Sequence, residues 1–450
     1  MPMVKVWAPR PQQVQLVISG ERLAMQRDAN GWWQVETPLA VHAADYGFSL
    51  DGGAPLPDPR SPWQPYGVHG LSRFYDHSRF EWHDGRFSAV PLAAGVVYEL
   101  HVGTFTPPGT FEAVIEKLDH LLQLGVTHIE LMPVAEFPGR AGWGYDGVDL
   151  YAPHHGYGGP DGLKRLVDAA HARGLGVLLD VVYNHLGPDG NYLGQYGPYY
   201  TTRYATPWGD ALNFDGRDSH EVRQFFLDNA LHWLRDYHID GLRLDAIHAM
   251  IDLTAFHILE ELSVETGALR AQLGRDLALI AESDLNDPRI VRSRDMGGYG
   301  LDAQWNDDFR HALWTVLTGE QNGYHADFGS LAGLAYAYQN VFVYDGRRSD
   351  YRGRRHGRPA NAISRQRFFA YLQNHDQVGN RAAGDRTAQV AGERLARLGA
   401  LLVFTSPYIP MLFMGEEWGA STPFQYFTDH ESEELAQSVR QGRLREFAAY

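Results

Sequence analysis

Gly241-Leu242-Arg243-Leu244-Asp245-Ala246-Ile247-His248 is the stretch whose reading decides the fold. Upstream of it, Val222, Phe225, Phe226, Ala230, Trp233, Leu234 and Tyr237 recur at helical spacing, which predicts a helix over 219–237. Asp218 and Glu221 stand at capping-box spacing at its start. After Ile239-Asp240 the period changes to two. Leu242 and Leu244 then fall on one side of a strand, and Gly241, Arg243 and Asp245 on the other. A strand with leucines on one face and a cation–anion pair on the other is not simply half buried against solvent. Its polar face has to look into a space where charge is useful. Arg243 next to Asp245 favours the ionised carboxylate and lowers its pKa, the state a carboxylate nucleophile requires. A structural ion pair near a strand end accounts for these eight residues equally well.

The 450 residues are enough for two to four domains and a large core. A formal net charge of −16 argues against nucleic acid or an anionic membrane as the main partner. The arginines at 347–348 and 352–358 read as one solvated loop patch. There is no cysteine, hence no disulfide, thiol nucleophile or Cys-based metal site. The opening Met1-Pro2-Met3-Val4-Lys5 has no signal-type apolar run, and no stretch of eighteen apolar residues occurs, so a cytoplasmic location without a membrane span is expected. The sequence leaves the oligomeric state open.

Residues 1–90 alternate in short runs such as 4–8, 14–18 and 31–35, separated by Gly, Pro and Asn, and predict an N-terminal β-sandwich. From Val96 the pattern becomes strand, helix, strand, helix. Strands are predicted at 96–102, 127–132, 176–182, 241–245, 277–282, 302–305, 368–373 and 410–414, with helices at 111–124 and 163–172 among those between. Eight such units predict an α/β fold, a (β/α)8 TIM barrel over 91–450, with a small inserted domain at 186–216 after the third strand. Asp180, Asp245, Glu282 and Asp376 each follow an apolar strand run. The C-terminal strand ends carry the active sites of such barrels, so the four acids are expected at one rim.

Asp180-Val181-Val182-Tyr183-Asn184-His185, Gly241 to Asp245, Ala281-Glu282 and Asn374-His375-Asp376 resemble, in this order, the four motif regions of the α-amylase clan of glycoside hydrolases. Longer segments resemble one family of that clan, the malto-oligosyltrehalose trehalohydrolases: 131–139, 143–149, 183–192, 211–216, 304–311 and 414–419. The resemblance implies a starch-type, immunoglobulin-like sandwich ahead of the barrel. It also implies hydrolysis, with retention of the α configuration, of the α-1,4 bond next to the terminal trehalose of malto-oligosyl trehalose, without a cofactor. A glycogen branching or debranching enzyme of the same clan is the alternative, and a non-catalytic glucan-binding or partner module a third reading. Members of the clan normally end with a last barrel helix and a C-terminal β domain. This chain stops at Ala448-Ala449-Tyr450, within or just before that helix, so a fragment, or a protein lacking that module, is expected.

Carried over residue by residue, the resemblance makes Asp245 the nucleophile, Glu282 the general acid and then base, and Asp376 the third acid, which binds sugar hydroxyls. A Glu282 placed after an apolar strand is expected to be desolvated and protonated near neutrality. His185 and His375 are expected to donate to hydroxyls of the cleaved sugar, Tyr145 to stack beneath it, Arg243 and Gln377 to contact substrate, and Asp180 to orient Arg243. His248, Asp308 with His311, and Glu417 with Trp418 are the candidates for the trehalose side. No metal is expected. His154-His155 resembles a ligand pair, but neighbouring side chains diverge and no third ligand is near in sequence.

Overall fold

A computed structural model describes residues 1–430 and 432–446. The expected end of the chain at 448–450 lies outside the described residues. The N-terminal part forms two antiparallel sheets. One is ordered Met3–Trp7, Trp32–Glu36, Gln26–Arg27, and the other Glu21–Ala24, Val14–Ile18, Asp45–Leu50, Pro55–Leu56, with Ser72–Arg73 also on Asp45–Leu50. Alternation fixes which side chains are interior: Val14, Leu16 and Ile18 are buried, as are Val4 and Val6, and all join one apolar cluster with Trp33 and Phe48.

Eight parallel strands then close into a barrel, in chain order Val97–Leu100, His128–Leu131, Gly176–Val181, Gly241–Leu244, Ala278–Ala281, Ala303–Trp305, Phe368–Ala370 and Ile409–Phe413, the last pairing with the first. Seven of the strands fall within runs that the sequence marks, trimmed by up to three residues, and the eighth begins one residue ahead of its run. The seventh loses its last three residues, because the chain leaves the ladder at Tyr371 and turns into the helix His375–Gly379. The stretch expected as a helix over 111–124 is two helices, Phe111–Ile115 and Leu118–Leu124, and Gly125 closes the second in the left-handed conformation at φ 88°. Asp218 does stand at the N-cap of the helix Ser219–Asp236. Its own backbone is left-handed (φ 59°), however, and its side chain makes no cap bond, so the expected capping box does not form. The inserted region carries a short helix, Leu193–Tyr196, and a hairpin of Tyr200–Thr206 with Gly209–Leu212. Among the described residues no helix is long and apolar enough to cross a membrane.

The barrel interior is layered, and the layers position the site. Toward the strand starts, Val97, Leu178, Ile280, Ala303, Phe369, Ile409 and Met411 form a separate buried apolar cluster. Two residues further along the strands, the same faces carry Glu99, Asp180, Glu282, Trp305 and Tyr371, with Glu130 and Arg243 from the second and fourth strands. Period two therefore turns an apolar floor into a polar upper layer within one step. Gly241 leaves the room this requires. A Cβ there would lie 2.8 Å from the Ala278 carbonyl oxygen and 2.9 Å from Leu178 Cδ2. Gly241→Val is expected to overpack the fourth strand and cost about 1–3 kcal/mol, read as a lower urea midpoint. An unchanged midpoint would mean the interior is less tightly filled than described.

Candidate active site

Arg243 is completely buried and organises the upper layer. Its Nη1 donates to Asp180 Oδ2 at 2.7 Å and to Asp245 Oδ1 at 2.8 Å, and its Nη2 lies 3.8 Å from Glu282 Oε2. The guanidinium carbon sits 4.3 Å from the centre of the Trp305 ring, a cation–π contact that closes off its remaining face. One cation thus touches three carboxyl groups from the third, fourth and fifth strands. A second link ties the acids together. Ala246, directly after Asp245, takes a left-handed backbone (φ 38°) that costs an alanine roughly 1–2 kcal/mol. In that conformation its N–H donates to Glu282 Oε2 at 2.6 Å.

The acids are in different electrostatic states. Burial pushes Glu282 up to about 8, partly opposed by Arg243, while Asp245, Asp307 and Asp376 add to the rise. Burial likewise raises Asp180 to about 6, against the pull of Arg243 and the hydrogen bond from Tyr145. Glu130 has neither carboxyl oxygen paired, and burial, reinforced by neighbouring Glu99 and Asp180, pushes it well above the carboxylate range.

Asp376 reaches the same place from the seventh strand, on the helix His375–Gly379 capped by Asn374. Its Oδ1 lies 3.6 Å from His375 Nε2 and accepts from Asn380 at 3.2 Å. The Tyr145 hydroxyl donates to Asp180 Oδ2 at 2.6 Å and meets His375 Nε2 at 2.8 Å, with the two rings stacked at 5.1 Å. His185 contacts Asn184 through Nδ1 at 3.0 Å and stacks on Trp208 at 4.5 Å with the planes only 7° apart. Trp208 sits at the tip of the inserted hairpin, and no short motif around it signalled that contact. A cavity of about 760 Å³ opens beside Asp376, lined among others by Asp284, Asp307, His311, Tyr324 and Arg352. Gln377 lines it too, and its Nε2 is 3.5 Å from Asp307 Oδ1. His311 is half-buried against Tyr324, His325 and Phe328, and the loss of solvation there, helped by Arg310, holds it neutral. His248 is exposed on the turn Ile247–Ala249 just past Asp245.

Three expected site residues are placed elsewhere. Asp308 is buried, and its Oδ2 accepts from the backbone N–H groups of Val343 and Tyr344, both at 2.7 Å, and from Asn286 at 2.8 Å. It pins one loop to another, and its neighbour Asp307 faces the cavity instead. On the helix Asp307–Thr318, Asp307 lines the cavity with His311, while Asp308 is turned to the loop carrying Val343 and Tyr344. Glu417 accepts from the Tyr98 hydroxyl at 2.9 Å and pairs with His120 at 3.1 Å, and Trp418 is 65% exposed against His120. Both line grooves beside the helices Leu118–Leu124 and Glu393–Phe404, away from the acids.

The histidine pair also differs from expectation. A third ligand-type group is present: Glu136 Oε1 lies 3.0 Å from His154 Nδ1 and 2.7 Å from His155 Nδ1. The antiparallel pairing of Ala135–Glu136 with Asp149–Pro153 brings it there from 18 residues upstream. Glu136 Oε2 accepts the His155 N–H at 2.8 Å, so both carboxylate oxygens are engaged by the histidine pair. His77, His232 and Asp236 form a second such group, with the Lys164 ammonium close enough to disfavour further positive charge.

A closed parallel barrel with three acids gathered at the C-terminal rim around a buried arginine defines a glycoside hydrolase of the α-amylase type. The family model for the α-amylase catalytic domain matches residues 72–206. The malto-oligosyltrehalose trehalohydrolase of Arthrobacter ramosus is 53% identical over 98% of this chain and 78% of that protein. The protein of that name from Mycobacterium tuberculosis H37Rv is 53% identical over 100% of this chain and 78% of its own length. A crystal structure described as a putative α-amylase from Salmonella typhimurium superposes with a TM-score of 0.93 at 42% identity, covering 99% of this chain and 76% of that one. The chain belongs to the malto-oligosyltrehalose trehalohydrolase family.

The placement of the two neighbouring aspartates separates positioning from structure. Asp308→Ala is expected to destabilise the protein by about 1–3 kcal/mol for each donor it orphans, seen as a lower thermal midpoint. Asp307→Asn is expected to leave stability within about 1 kcal/mol while lowering kcat/KM. The reverse pattern would show that the helix is rotated relative to this description.

Proposed function

We propose that the protein is a retaining α-glycoside hydrolase that cleaves the α-1,4-glucosidic bond next to the terminal trehalose of malto-oligosyl trehalose, releasing trehalose and a shorter malto-oligosaccharide. The observation that carries this reading is the single guanidinium shared by Asp245 and Glu282, in a chain about half identical to proteins named for that reaction.

Asp245, held by Arg243, attacks the anomeric carbon of the glucose next to trehalose. Glu282, protonated at neutrality because of its burial, gives its proton to the glycosidic oxygen as that bond breaks, and trehalose leaves. Glu282, now ionised, takes a proton from water, whose oxygen attacks the anomeric carbon and releases Asp245. The net consumption is one water, and the α configuration is restored by two inversions. Tyr145 and His375 form the wall against which the cleaved sugar rests, and Asp376 accepts from its hydroxyls. The cavity lined by Asp307, His311 and Gln377 takes the trehalose side, and the glucan runs past the stacked rings of His185 and Trp208 on the inserted hairpin.

Incubation with maltopentaosyl trehalose is expected to yield free trehalose. Debranching of amylopectin with no trehalose release would favour the branching or debranching reading instead. The acid function of Glu282 requires its proton, so activity is present below its raised pKa and is expected to fall as pH rises through about 8. Glu282→Gln should remove that limb and cost on the order of 10²–10⁴ in kcat. Asp245→Asn should abolish turnover while retaining substrate binding by calorimetry. Turnover left intact would refute the nucleophile.

A further inference from the structure

The first strand of the barrel carries an acid that the reaction above does not use. Glu99 is 1% exposed and lies beneath His375, itself 1% exposed. Glu99 Oε1 takes the His375 ring Nδ1 in a close contact, and Oε2 accepts the His375 backbone N–H at 3.1 Å. Both oxygens thus serve one residue, from the strand farthest from it in sequence. The proton inventory around the ring is constrained. The only hydrogen of the Tyr145 hydroxyl is directed at Asp180 Oδ2, so its oxygen, 2.8 Å from His375 Nε2, is an acceptor there. Nε2 must therefore carry a hydrogen. Nδ1, facing a carboxylate oxygen, must carry one as well. Of the two acids paired across adjacent strands, Glu99 has donors on both oxygens and Glu130 has none, which puts the charge on Glu99 and the proton on Glu130.

We propose that Glu99 is a positioning residue that holds His375 as a doubly protonated imidazolium, fixing its Nε2–H as the donor that orients the Tyr145 hydroxyl and stands beside Asp376. The proposal rests on the active-site reading above and extends it one residue below the sugar. The other groups facing the ring are consistent with this state. Asp376 adds to the pull of Glu99 on the ring, while Arg243, a competing cation, is already shared by Asp180 and Asp245. Trp143 and Trp305 close the sides, and His101 is kept neutral by its own burial. Burial alone would push His375 down. The Glu99 carboxylate, helped by Asp376 and by the Glu99 hydrogen bond, outweighs it and holds the ring up at about 9.

The test uses the full chain labelled with ¹⁵N histidine, in which the ring signals that vanish in His375→Asn identify the residue. At about pH 7.5, where an ordinary imidazole is mostly neutral, the wild-type ring is expected to be doubly protonated. In Glu99→Gln, which keeps the shape and one donor-accepting oxygen, it is expected to be neutral. That variant should lose about tenfold in kcat at that pH with KM within about threefold, and the deficit relative to wild type should shrink as pH is lowered toward the range where the unassisted, buried imidazole takes up its proton. A merely structural role for Glu99 would not produce recovery on acidification. Glu99→Asp, which retains the charge, should leave the ring protonated. A neutral His375 in the wild type overturns the proposal whether or not Glu99→Gln folds, and so does a ring still doubly protonated in Glu99→Gln. Because wild-type trehalose release is measured separately, failure here would remove Glu99 from the account without touching the assignment of Asp245 and Glu282.

Discussion

Everything at the rim depends on a guanidinium buried inside the barrel. Moving a cation out of water is expensive, and the cost is offset only when its hydrogen-bonding directions are met by well-placed anions. Arg243 meets Asp180 and Asp245 through one nitrogen and approaches Glu282 with the other. These acids are 63, 2 and 39 residues away in sequence, so only a closed barrel with the right register can assemble them. The Arg243–Asp180 pairing is built into the ladder itself, because these two residues are directly opposed on adjacent strands. The fold and the site are in this sense one constraint, since a barrel shifted by one residue would leave Arg243 buried without its partners.

The same layer gives chemically identical groups different protonation states through position alone. Asp245 accepts directly from the Arg243 cation, the placement its proposed role as nucleophile calls for. Glu282 is farther from that cation and loses more solvation than it recovers, so it is held protonated near neutrality, as its proposed role as acid needs. Below them, Glu99 has donors on both oxygens and Glu130 has none, which divides a neighbouring pair in the same way. The apolar floor formed by Val97, Leu178, Ile280 and Ile409 excludes water from underneath. That exclusion is what makes small differences in distance decide the state of each acid.

How much of this is legible in the sequence follows from how local each signal is. The alternation of Gly241, Arg243 and Asp245 against Leu242 and Leu244 is contained in five residues and marks a strand with one charged face, but only the eight strand runs around it place that face inside a barrel. The eight strand runs are similarly local, and only their ends are set by the ladder. Asp307 and Asp308 could not be told apart from their identities or from their spacing to His311, since residues three and four apart both lie on one helix face. Glu417 and Trp418 follow the last strand, as site residues do, yet the 3-10 turn Glu416–Trp418 carries them outward to Tyr98 and His120. Glu136 joins His154 and His155 only through an antiparallel pairing that no spacing rule indicates. Glu99 did leave a trace: it is an acid in the middle of an otherwise apolar run, between Tyr98 and Leu100, and such a residue has to find a buried partner.

The central claim is that Asp245 forms a covalent bond to the sugar while Glu282, on the same guanidinium, supplies and recovers the proton. Trapping that bond tests it most directly. The protein would be treated with a 5-fluoro-α-glycosyl fluoride, which forms the glycosyl intermediate and slows its hydrolysis, then digested with pepsin and mapped by mass spectrometry. The account requires one added sugar per chain on the peptide containing Asp245, and none in Asp245→Asn. A sugar attached to Glu282 or Asp376, or turnover of the fluoride with inversion at the anomeric carbon, would contradict it.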